Sequence, residues 1–276
     1  MDSPELIALL SGRRIAVLTG AGLSTDSGIP DYRGPDSPPA NPMTIRQFTT
    51  SREYRQRYWA RNHLGWRHMA QTLPNAGHRA LAALERRGVV TGVITQNVDL
   101  LHTKAGSRAV VNLHGTYARV VCLDCGHTLS RAALAELLEA ANPGFAERAE
   151  RVGGLAVAPD ADAVVADTAS FRIVDCPACG GMLKPDIVYF GESVAKEVVD
   201  QAYSLVDSSD ALLVAGSSLT VFSGYRFVRH AAAHAIPVAI VNRGPTRGDD
   251  LAAVKVDAGC SPILTLLADE LSGKLP

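Results

Sequence analysis

The sequence predicts an α/β protein in which a Rossmann-like, doubly wound parallel sheet carries a smaller inserted module. Three observations predict this fold. Short apolar runs rich in β-branched residues alternate with helical patterns along most of the chain. Between residues 117 and 185 the alternation stops, and this stretch contains two Cys-x-x-Cys pairs. Glycine-rich or polar residues follow the strand-like runs directly, where open α/β sheets bind their ligands.

The bulk composition excludes several classes of protein. The 276 residues are 47% hydrophobic, so one large domain, or a domain with an insert, can bury a core. The formal net charge of -1 provides no basic field for nucleic acid or for an anionic membrane. No apolar run approaches the roughly 20 residues of a membrane span, and the first residues do not resemble a signal peptide. We therefore expect a cytoplasmic protein.

The predicted elements follow one another in the order that a doubly wound sheet requires. The first strand covers residues 14–19 and follows a short helix at 6–10. A polar, aromatic and basic helix is expected at 46–71, and a second helix at 76–87 ends before Gly88. The later strands are 89–95, 109–113, 211–215 and 238–241, and the later helices are 196–207, 225–235 and 261–271.

The chain is expected to divide into two units. Residues 1–116 and 186–276 form the sheet domain, with a helical and loop excursion at about 34–75. Residues 117–185 form the inserted module, which has one helical pattern at 131–141.

Four cysteines of the inserted module form two pairs with metal-ligand spacing: Cys122, Cys125, Cys176 and Cys179. Two thiolates separated by two residues can converge on one tetrahedral ion. The alternative interpretations are four unrelated buried cysteines or redox disulfides. Because four thiolates fill a tetrahedral coordination sphere, we expect one structural Zn²⁺ per chain, and hence a zinc-binding module.

The first strand is followed by a glycine turn that favours phosphate binding. Gly20-Ala21-Gly22-Leu23-Ser24 lets the backbone approach a pyrophosphate closely. The next glycine is Gly28, so the Gly-x-Gly-x-x-Gly pattern of dehydrogenases is incomplete. Where such an enzyme has a ribose-binding acid, this chain has the loop Asp31-Tyr32-Arg33. The sequence therefore argues against a hydride-transferring dehydrogenase.

Polar segments follow three further strands, and each alone could be a helix cap or a turn. They are Gln96-Asn97-Val98-Asp99, Gly216-Ser217-Ser218 and Asn242-Arg243-Gly244. Since the carboxyl ends of parallel strands meet at one edge, together they predict one elongated polar ligand. His114 also follows a strand, beside Gly115. A lone histidine is usually structural, but at this edge His114 is a candidate general base.

Taken together, these residues resemble the sirtuin family. Four blocks carry the resemblance: the glycine turn with Ser27-Gly28-Ile29-Pro30-Asp31-Tyr32-Arg33; Thr95 to Asp99; Leu113-His114-Gly115; and the four cysteines. Lys184 to Glu192 and Gly216 to Leu219 extend it over nearly the whole chain. The class II branch is similar at Tyr58-Trp59-Ala60-Arg61-Asn62, Ser223-Gly224-Tyr225-Arg226-Phe227 and Gly244-Pro245-Thr246-Arg247, and a bacterial member is expected.

The resemblance implies an NAD-dependent protein lysine deacylase that consumes NAD⁺. Nicotinamide leaves the anomeric carbon and the acyl oxygen takes its place. His114, with Asn97 and Asp99, then activates a ribose hydroxyl, so that nicotinamide, free lysine and O-acyl-ADP-ribose are formed.

The resemblance also implies binding roles. Gly20, Ala21, Gly22 and Ser24 would contact the phosphates and ribose of NAD⁺, under a loop containing Asp31, Tyr32 and Arg33. Gln96, Asn97, Val98 and Asp99 would line the nicotinamide–ribose pocket. The adenosine half would be held by Gly216, Ser217, Ser218, Asn242, Arg243, Gly244 and Cys260, although Cys260 taken alone could equally be a small buried hydrophobe. The acyl-lysine tunnel would be bordered by Val188, Phe190, Gly191 and Glu192, with an acylated protein or peptide bound between the two units.

The acyl group is the open question. Tyr58 and Arg61 share a helix face at i, i+3 and resemble the pair by which class III sirtuins hold acidic acyl groups. They could equally be the inner face of a basic helix. Our hypothesis is a preference for negatively charged or branched short acyl groups. Protein ADP-ribosyl transfer, NAD hydrolysis and a catalytically idle NAD-sensing module are the alternative functions.

Overall fold

A computed structural model describes residues 3–32, 42–152 and 168–271. The strands are β1 (Ile15–Thr19), β2 (Val90–Thr95), β3 (Val110–Asn112), β4 (Gly115–Cys122), β5 (Thr128–Ser130), β6 (Leu183–Ile187), β7 (Ala211–Ala215), β8 (Val238–Val241) and β9 (Val254–Val256). The helices are α1 (Pro4–Leu10), α2 (Ile45–Thr50), α3 (Arg52–Gln71), α4 (Ala76–Arg86), α5 (Leu101–Ala105), α6 (Arg131–Ala141), α7 (Phe145–Val152), α8 (Lys196–Asp207), α9 (Phe222–Ala233) and α10 (Cys260–Glu270). Within these ranges, none of the helices combines the length and apolarity of a membrane span.

The predicted doubly wound sheet is confirmed. Six parallel strands lie in the order β3-β2-β1-β7-β8-β9. The chain winds outward from β1 on one side and later from β7 on the other, so the direction of winding reverses between these two central strands. In β1, β7 and β8 every residue is buried, which explains their continuous apolar sequences. The topological switch point therefore lies between β1 and β7.

Helices cover both faces of this sheet. On one face, α1, α4 and α10 bury residues such as Leu6, Leu81 and Leu264 against the strands. On the other face, α8 and α9 bury Val206 and Phe227. The two layers leave the carboxyl edge of the strands as the open side of the sheet.

Several predicted boundaries differ from the observed ones. The helix expected at 46–71 is two helices, because Ser51 adopts an extended conformation and its hydroxyl caps the start of α3. The helix expected to begin at Tyr225 begins at Phe222. Strand β9 and the short helix α5 were not predicted, and the loop expected at 153–168 lies outside the described residues except for Thr168.

The inserted module is built on an antiparallel sheet of order β5-β4-β6, covered by α6 and α7. Its core also includes Tyr58 and Trp59 of α3, which pack in the same cluster as Tyr117 and Leu134. Helix α3, from the predicted excursion, thus shares the hydrophobic core of the module. The division of the chain at 117 and 185 stays a prediction.

Arg131 connects the inserted module to α3. Its side chain is fully buried, and the guanidinium donates to the side-chain oxygen of Asn62 at 3.0 and 3.3 Å and lies over the Trp66 ring at 5.1 Å. Burial lowers the pKa of Arg131 to about 10, so it stays charged at neutral pH. Because a hydrogen bond to a charged group contributes about 1.5–3 kcal/mol, this contact favours one docking of α3 on α6.

The four cysteines form a cluster with the spacing of a tetrahedral zinc site. All four sulfur atoms lie within 4.8 Å of one another, Cys122 Sγ is 3.6 Å from Cys179 Sγ, and Cys125 Sγ is 3.9 Å from Cys176 Sγ. Four thiolates at about 2.3 Å from Zn²⁺ would be about 3.8 Å apart. None of these cysteines is in a disulfide. The residues therefore fit the predicted structural zinc.

Each cysteine pair lies in the same backbone turn. The amide of Gly126 donates to the Cys122 carbonyl, and the amide of Gly180 donates to the Cys176 carbonyl. Both glycines have positive φ, at +72° and +74°. This conformation is costly for residues with a side chain, so the glycines allow the thiolates to converge.

We predict that Cys176→Ser removes the bound zinc and destabilises the inserted module. Metal analysis should find one zinc per chain in the wild type and much less than one in the variant, which should also melt at a lower temperature because metal binding contributes folding energy. Cys260→Ala, which changes the one cysteine outside the cluster, should retain the zinc. Stoichiometric zinc in Cys176→Ser would contradict the prediction.

Candidate active site

A cavity of about 1040 Å³ lies at the carboxyl edge of the parallel sheet and reaches the segment that follows β6. It brings together most of the residues that the sequence singled out. These are Gly20, Ala21, Gly22, Ser24, Asp31, Tyr32, Gln96, Asn97, Val98, Asp99, His114, Val188, Phe190, Gly191, Glu192, Gly216, Ser217, Ser218, Asn242, Arg243 and Gly244.

Two glycine turns interlock at the floor of the cavity. The amide of Gly20 donates to the Ala215 carbonyl at 3.2 Å, and the amide of Gly22 donates to the Gly216 carbonyl at 2.9 Å. A Cβ on Gly20 would come within 2.7 Å of the Gly216 oxygen, and one on Gly216 within 2.2 Å of the Leu23 nitrogen. Only glycine permits this approach, and Gly216 also has a φ of +68°. The backbone itself therefore forms the wall at the switch point.

A polar chain connects the glycine turn to the end of β2. The Ser24 hydroxyl donates to Asp99 Oδ2 at 2.6 Å, and Asn97 Nδ2 donates to the Gly20 carbonyl and to Ser24 Oγ at 3.0 and 3.1 Å. Burial raises the pKa of Asp99, while hydrogen bonds from Ser24 and from the Leu101 amide act in the opposite direction. These contacts hold Asn97 and Asp99 in fixed orientations beside the cavity.

Beneath this chain lies a buried network that sequence reasoning missed. The Thr19 hydroxyl donates to Thr95 Oγ1 at 2.9 Å, and Thr95 Oγ1 accepts the Asn97 amide at 3.1 Å. His102 Nε2 lies 2.9 Å from Thr19 Oγ1, so Nε2 must carry the proton because the Thr19 hydrogen is already donated. Burial lowers the pKa of His102 well below its usual value. A neutral histidine thus supports the ends of β1 and β2.

His114 has the tautomer and orientation of a general base. Its Nδ1 lies 3.0 Å from the Gln96 carbonyl, which can only accept, so Nδ1 carries the proton and Nε2 has the free electron pair. Nε2 lies 2.8 Å from the hydroxyl of Ser223, a residue of the class II block to which the sequence analysis gave no role in the site. Burial lowers the pKa of His114, and the hydrogen bond to Gln96 partly opposes this shift. The imidazole is therefore neutral at physiological pH.

Gln96 fixes the position of several cavity residues. Its Oε1 accepts the Ser217 hydroxyl at 2.6 Å, which ties the end of β2 to the end of β7. A Cβ on Gly224 would come within 2.6 Å of the Gln96 amide, so Gly224 lets α9 pack directly on this side chain. Gln96 therefore provides both the carbonyl that accepts the hydrogen bond of His114 and the side chain against which α9 packs.

The segment after β6, residues 187–192, forms the wall opposite the glycine turns. The Val188 amide donates to the His114 carbonyl at 2.9 Å, and Glu192 Oε2 accepts the Tyr189 amide at 2.8 Å. The nearly buried ammonium of Lys184 lies 3.1 Å from Glu192 Oε1 and donates to the Ile187 carbonyl at 2.7 Å. An ion pair between a buried lysine and a partly exposed glutamate therefore holds the turn in this wall.

The predicted acyl-binding pair lies behind the described lining of the cavity. The Tyr58 hydroxyl is 3.0 Å from the Tyr117 hydroxyl, and its buried ring contacts that of Tyr189, which does line the cavity, with 5.6 Å between centroids. Arg61 is half-buried, and neither Tyr58 nor Arg61 belongs to the described lining. One aromatic ring therefore separates Tyr58 from the cavity, and the assignment of an acyl-binding role stays a prediction.

Of two further predicted NAD-binding residues, the structure describes Cys260 alone. Cys260 is buried, its thiol is 3.7 Å from the Val241 carbonyl, and it is absent from the described lining. Burial raises the pKa of the Cys260 thiol to about 12, so it is neutral and chemically inert. Arg33 falls outside the described residues.

Known proteins are similar to this chain over more than nine-tenths of its length. A protein 80% identical over 98% of this chain and 96% of its own length is the NAD-dependent protein deacetylase 1 of Mycobacterium avium (strain 104). A second, 44% identical over 92% of this chain and 82% of its own length, is the human NAD-dependent protein lipoamidase sirtuin-4, mitochondrial.

Solved structures and a family model indicate the same family as these relatives. A Sir2 structure with a p53 peptide and NAD⁺ is 30% identical, with a TM-score of 0.77 over 98% of both chains. A structure of Sir2Tm bound to a propionylated peptide is 28% identical, with a TM-score of 0.74 over 98% of both chains. The model of the Sir2 family matches residues 20–223, and this chain belongs to that family, the sirtuins.

Proposed function

We propose that the chain is an NAD-dependent protein lysine deacylase that produces nicotinamide, free lysine and O-acyl-ADP-ribose. The observation that carries this proposal is the neutral His114, whose Nε2 lies in one cavity with the interlocked glycine turns and the 187–192 wall. The relatives named as NAD-dependent deacetylases support the same activity.

The nucleotide would occupy the half of the cavity formed by the sheet edge. Because Gly20, Gly22 and Gly216 have no side chains, backbone atoms of these cavity-lining residues would face a pyrophosphate directly. Asn242 and Arg243, at the end of β8, would hold the adenosine half.

His114 would act as the general base on a ribose hydroxyl. Its Nε2 accepts the proton, and the hydrogen bond from Nδ1 to the Gln96 carbonyl stabilises the imidazolium that forms. Asn97 and Asp99, held by Ser24, would orient the nicotinamide ribose. The four-cysteine zinc takes no part in this chemistry because its coordination sphere is full.

The acylated lysine would enter beside residues 187–192. Phe190 and Phe222 flank the cavity and are 44% and 47% exposed, so they offer apolar contacts to an acyl chain or to a bound peptide. We propose acylated proteins or peptides as substrates and the cytoplasm as the location, since reducing compartments keep cysteine ligands available for zinc.

The acyl preference that we propose depends on Tyr58 and Arg61. Arg61 is half-buried one helical turn after Tyr58, and Tyr58 contacts the ring of Tyr189 in the cavity wall. A guanidinium at this depth would favour acidic short acyl groups, or branched ones, over acetyl. The class II assignment belongs to the same proposal. The human relative named a lipoamidase is an example of a similar protein whose name refers to an acyl group other than acetyl.

The activity itself is tested by mass spectrometry of reactions that contain NAD⁺ and a panel of acyl-lysine peptides. The wild type should form O-acyl-ADP-ribose, and His114→Ala should lower its rate about 10²-fold or more, because general-base catalysis contributes that much. His68→Ala changes an exposed histidine of α3 and should leave the rate unchanged. Nicotinamide release without a change in the peptide would instead indicate NAD hydrolysis or ADP-ribosyl transfer.

The pH dependence of kcat/KM should report on His114 in the free enzyme. Because burial lowers the pKa of this residue from 6.5, the neutral base persists below pH 6.5 and activity should fall only at more acidic pH. A pH–rate profile between pH 5 and 8 measures the acidic limb. An acidic limb centred above pH 6.5 would mean that His114 is not the titrating base.

The acyl preference is tested with Arg61→Ala. We expect this variant to lose turnover of succinyl- or malonyl-lysine about ten-fold relative to acetyl-lysine, because a charge-assisted hydrogen bond is worth about 1.5–3 kcal/mol. Arg57→Ala, an exposed arginine of the same helix, is the matched control. Wild-type turnover that is equal or better for acetyl-lysine, and unchanged in Arg61→Ala, would disprove the preference.

A further inference from the structure

The hydroxyl of Ser223 is in hydrogen-bond contact with Nε2 of the proposed base, at 2.8 Å. The other ring nitrogen donates to the Gln96 carbonyl, so the Ser223 hydroxyl must donate to Nε2 when the ring is neutral. Ser223 also lines the cavity. Its oxygen therefore lies where a reacting hydroxyl would have to approach the base.

The fold fixes the position of this hydroxyl. Ser223 is the second residue of α9, whose first turn is held by the Gly224 amide donating to the Val221 carbonyl. The absence of a side chain at Gly224 lets the helix contact Gln96, whose carbonyl accepts the hydrogen bond from His114 Nδ1. Gln96 therefore helps to position both the start of α9, which carries Ser223, and the ring of His114.

We propose that Ser223 is a positioning residue for the base step, an inference that rests on the proposed deacylase function. In the free enzyme the Ser223 hydroxyl donates a hydrogen bond to the electron pair of Nε2. This hydrogen bond keeps Nε2 directed into the cavity and keeps the ring in the reactive tautomer. The substrate hydroxyl then displaces this hydrogen bond and takes the same place on Nε2.

The proton transfer balances because a serine hydroxyl can either donate or accept a hydrogen bond. The substrate O–H bond breaks and its proton bonds to Nε2. Its oxygen forms the new bond to the acyl carbon, the π bond between that carbon and the lysine nitrogen breaks, and the electron pair moves onto the nitrogen. Ser223 keeps its own proton throughout. Because a hydroxyl also accepts, its oxygen can receive the new Nε2–H of the imidazolium. The same residue therefore serves the base before and after proton transfer.

The first test separates the base step from the earlier loss of nicotinamide. In Ser223→Ala we expect kcat for O-acyl-ADP-ribose to fall about ten-fold, the loss of one hydrogen bond to a charged group. The KM for NAD⁺ and the exchange of labelled nicotinamide into NAD⁺ should change less than about two-fold, since neither uses the base. Ser223→Thr restores a hydroxyl and should recover most of the rate.

Ser208→Ala is the matched control, because it removes an exposed serine hydroxyl that donates to a helix carbonyl outside the cavity. An unchanged kcat in Ser223→Ala would overturn the proposal. So would equal losses of exchange and product formation, or a failure of Ser223→Thr to recover the rate, because both describe general damage to the site. A wild type that exchanges no nicotinamide and forms no product would refute the deacylase function itself.

The second test needs no activity. In the free wild-type protein, the ring nitrogen chemical shifts of His114 should correspond to a protonated Nδ1 and to an Nε2 that accepts a hydrogen bond. In Ser223→Ala the Nε2 resonance should move toward the value of an acceptor without a donor, whereas in Ser208→Ala it should not. An Nε2 shift that is the same in Ser223→Ala and in the wild type would overturn the positioning role even if the protein were inactive.

Discussion

The contact between the two glycine turns is the constraint on which the site depends. Gly20 and Gly22 meet Gly216 with no space for a Cβ on either side, and their amides donate to the carbonyls of Ala215 and Gly216 where the sheet reverses its winding. An open α/β sheet always has a crevice at such a point. In this protein the glycines bring the two sides of the crevice together, so backbone rather than side chains forms the floor of the cavity. Hydrogen bonds from Ser24 to Asp99 and from Asn97 to Gly20 then position the end of β2 against that floor.

Much of the fold and part of the site were predictable, because they follow from local sequence. Buried parallel strands appear as apolar runs, and the ends of β1, β2, β7 and β8 carry the polar residues that line the cavity. The cysteine spacing likewise predicts a tetrahedral site whatever lies between the pairs. The break at Ser51 was harder to predict because a serine within a long helical pattern gives only a weak signal until its capping hydrogen bond is seen.

The contacts that sequence could not reveal are those between distant segments. Ser223 meets His114 across 109 residues, and Thr19 meets His102 across 83, with no motif marking either pair. The position of Tyr58 shows the same limit. Its spacing from Arg61 predicts a shared helix face, but only the packing of α3 shows that the ring of Tyr189 stands between Tyr58 and the cavity.

The hydrophobic clusters divide the cavity into halves that can diverge separately. The nucleotide half is backed by clusters on the two faces of the parallel sheet, whereas the 187–192 wall, α3 and the cysteine module share a third cluster that includes Tyr58, Tyr117 and Tyr189. Substitutions in the third cluster can reshape the end of the cavity near the acyl group while the glycine turns keep their packing, since separated sites contribute almost independently. Natural selection, or a directed-evolution experiment, could therefore change which lysine modification is removed without rebuilding the machinery that consumes the dinucleotide.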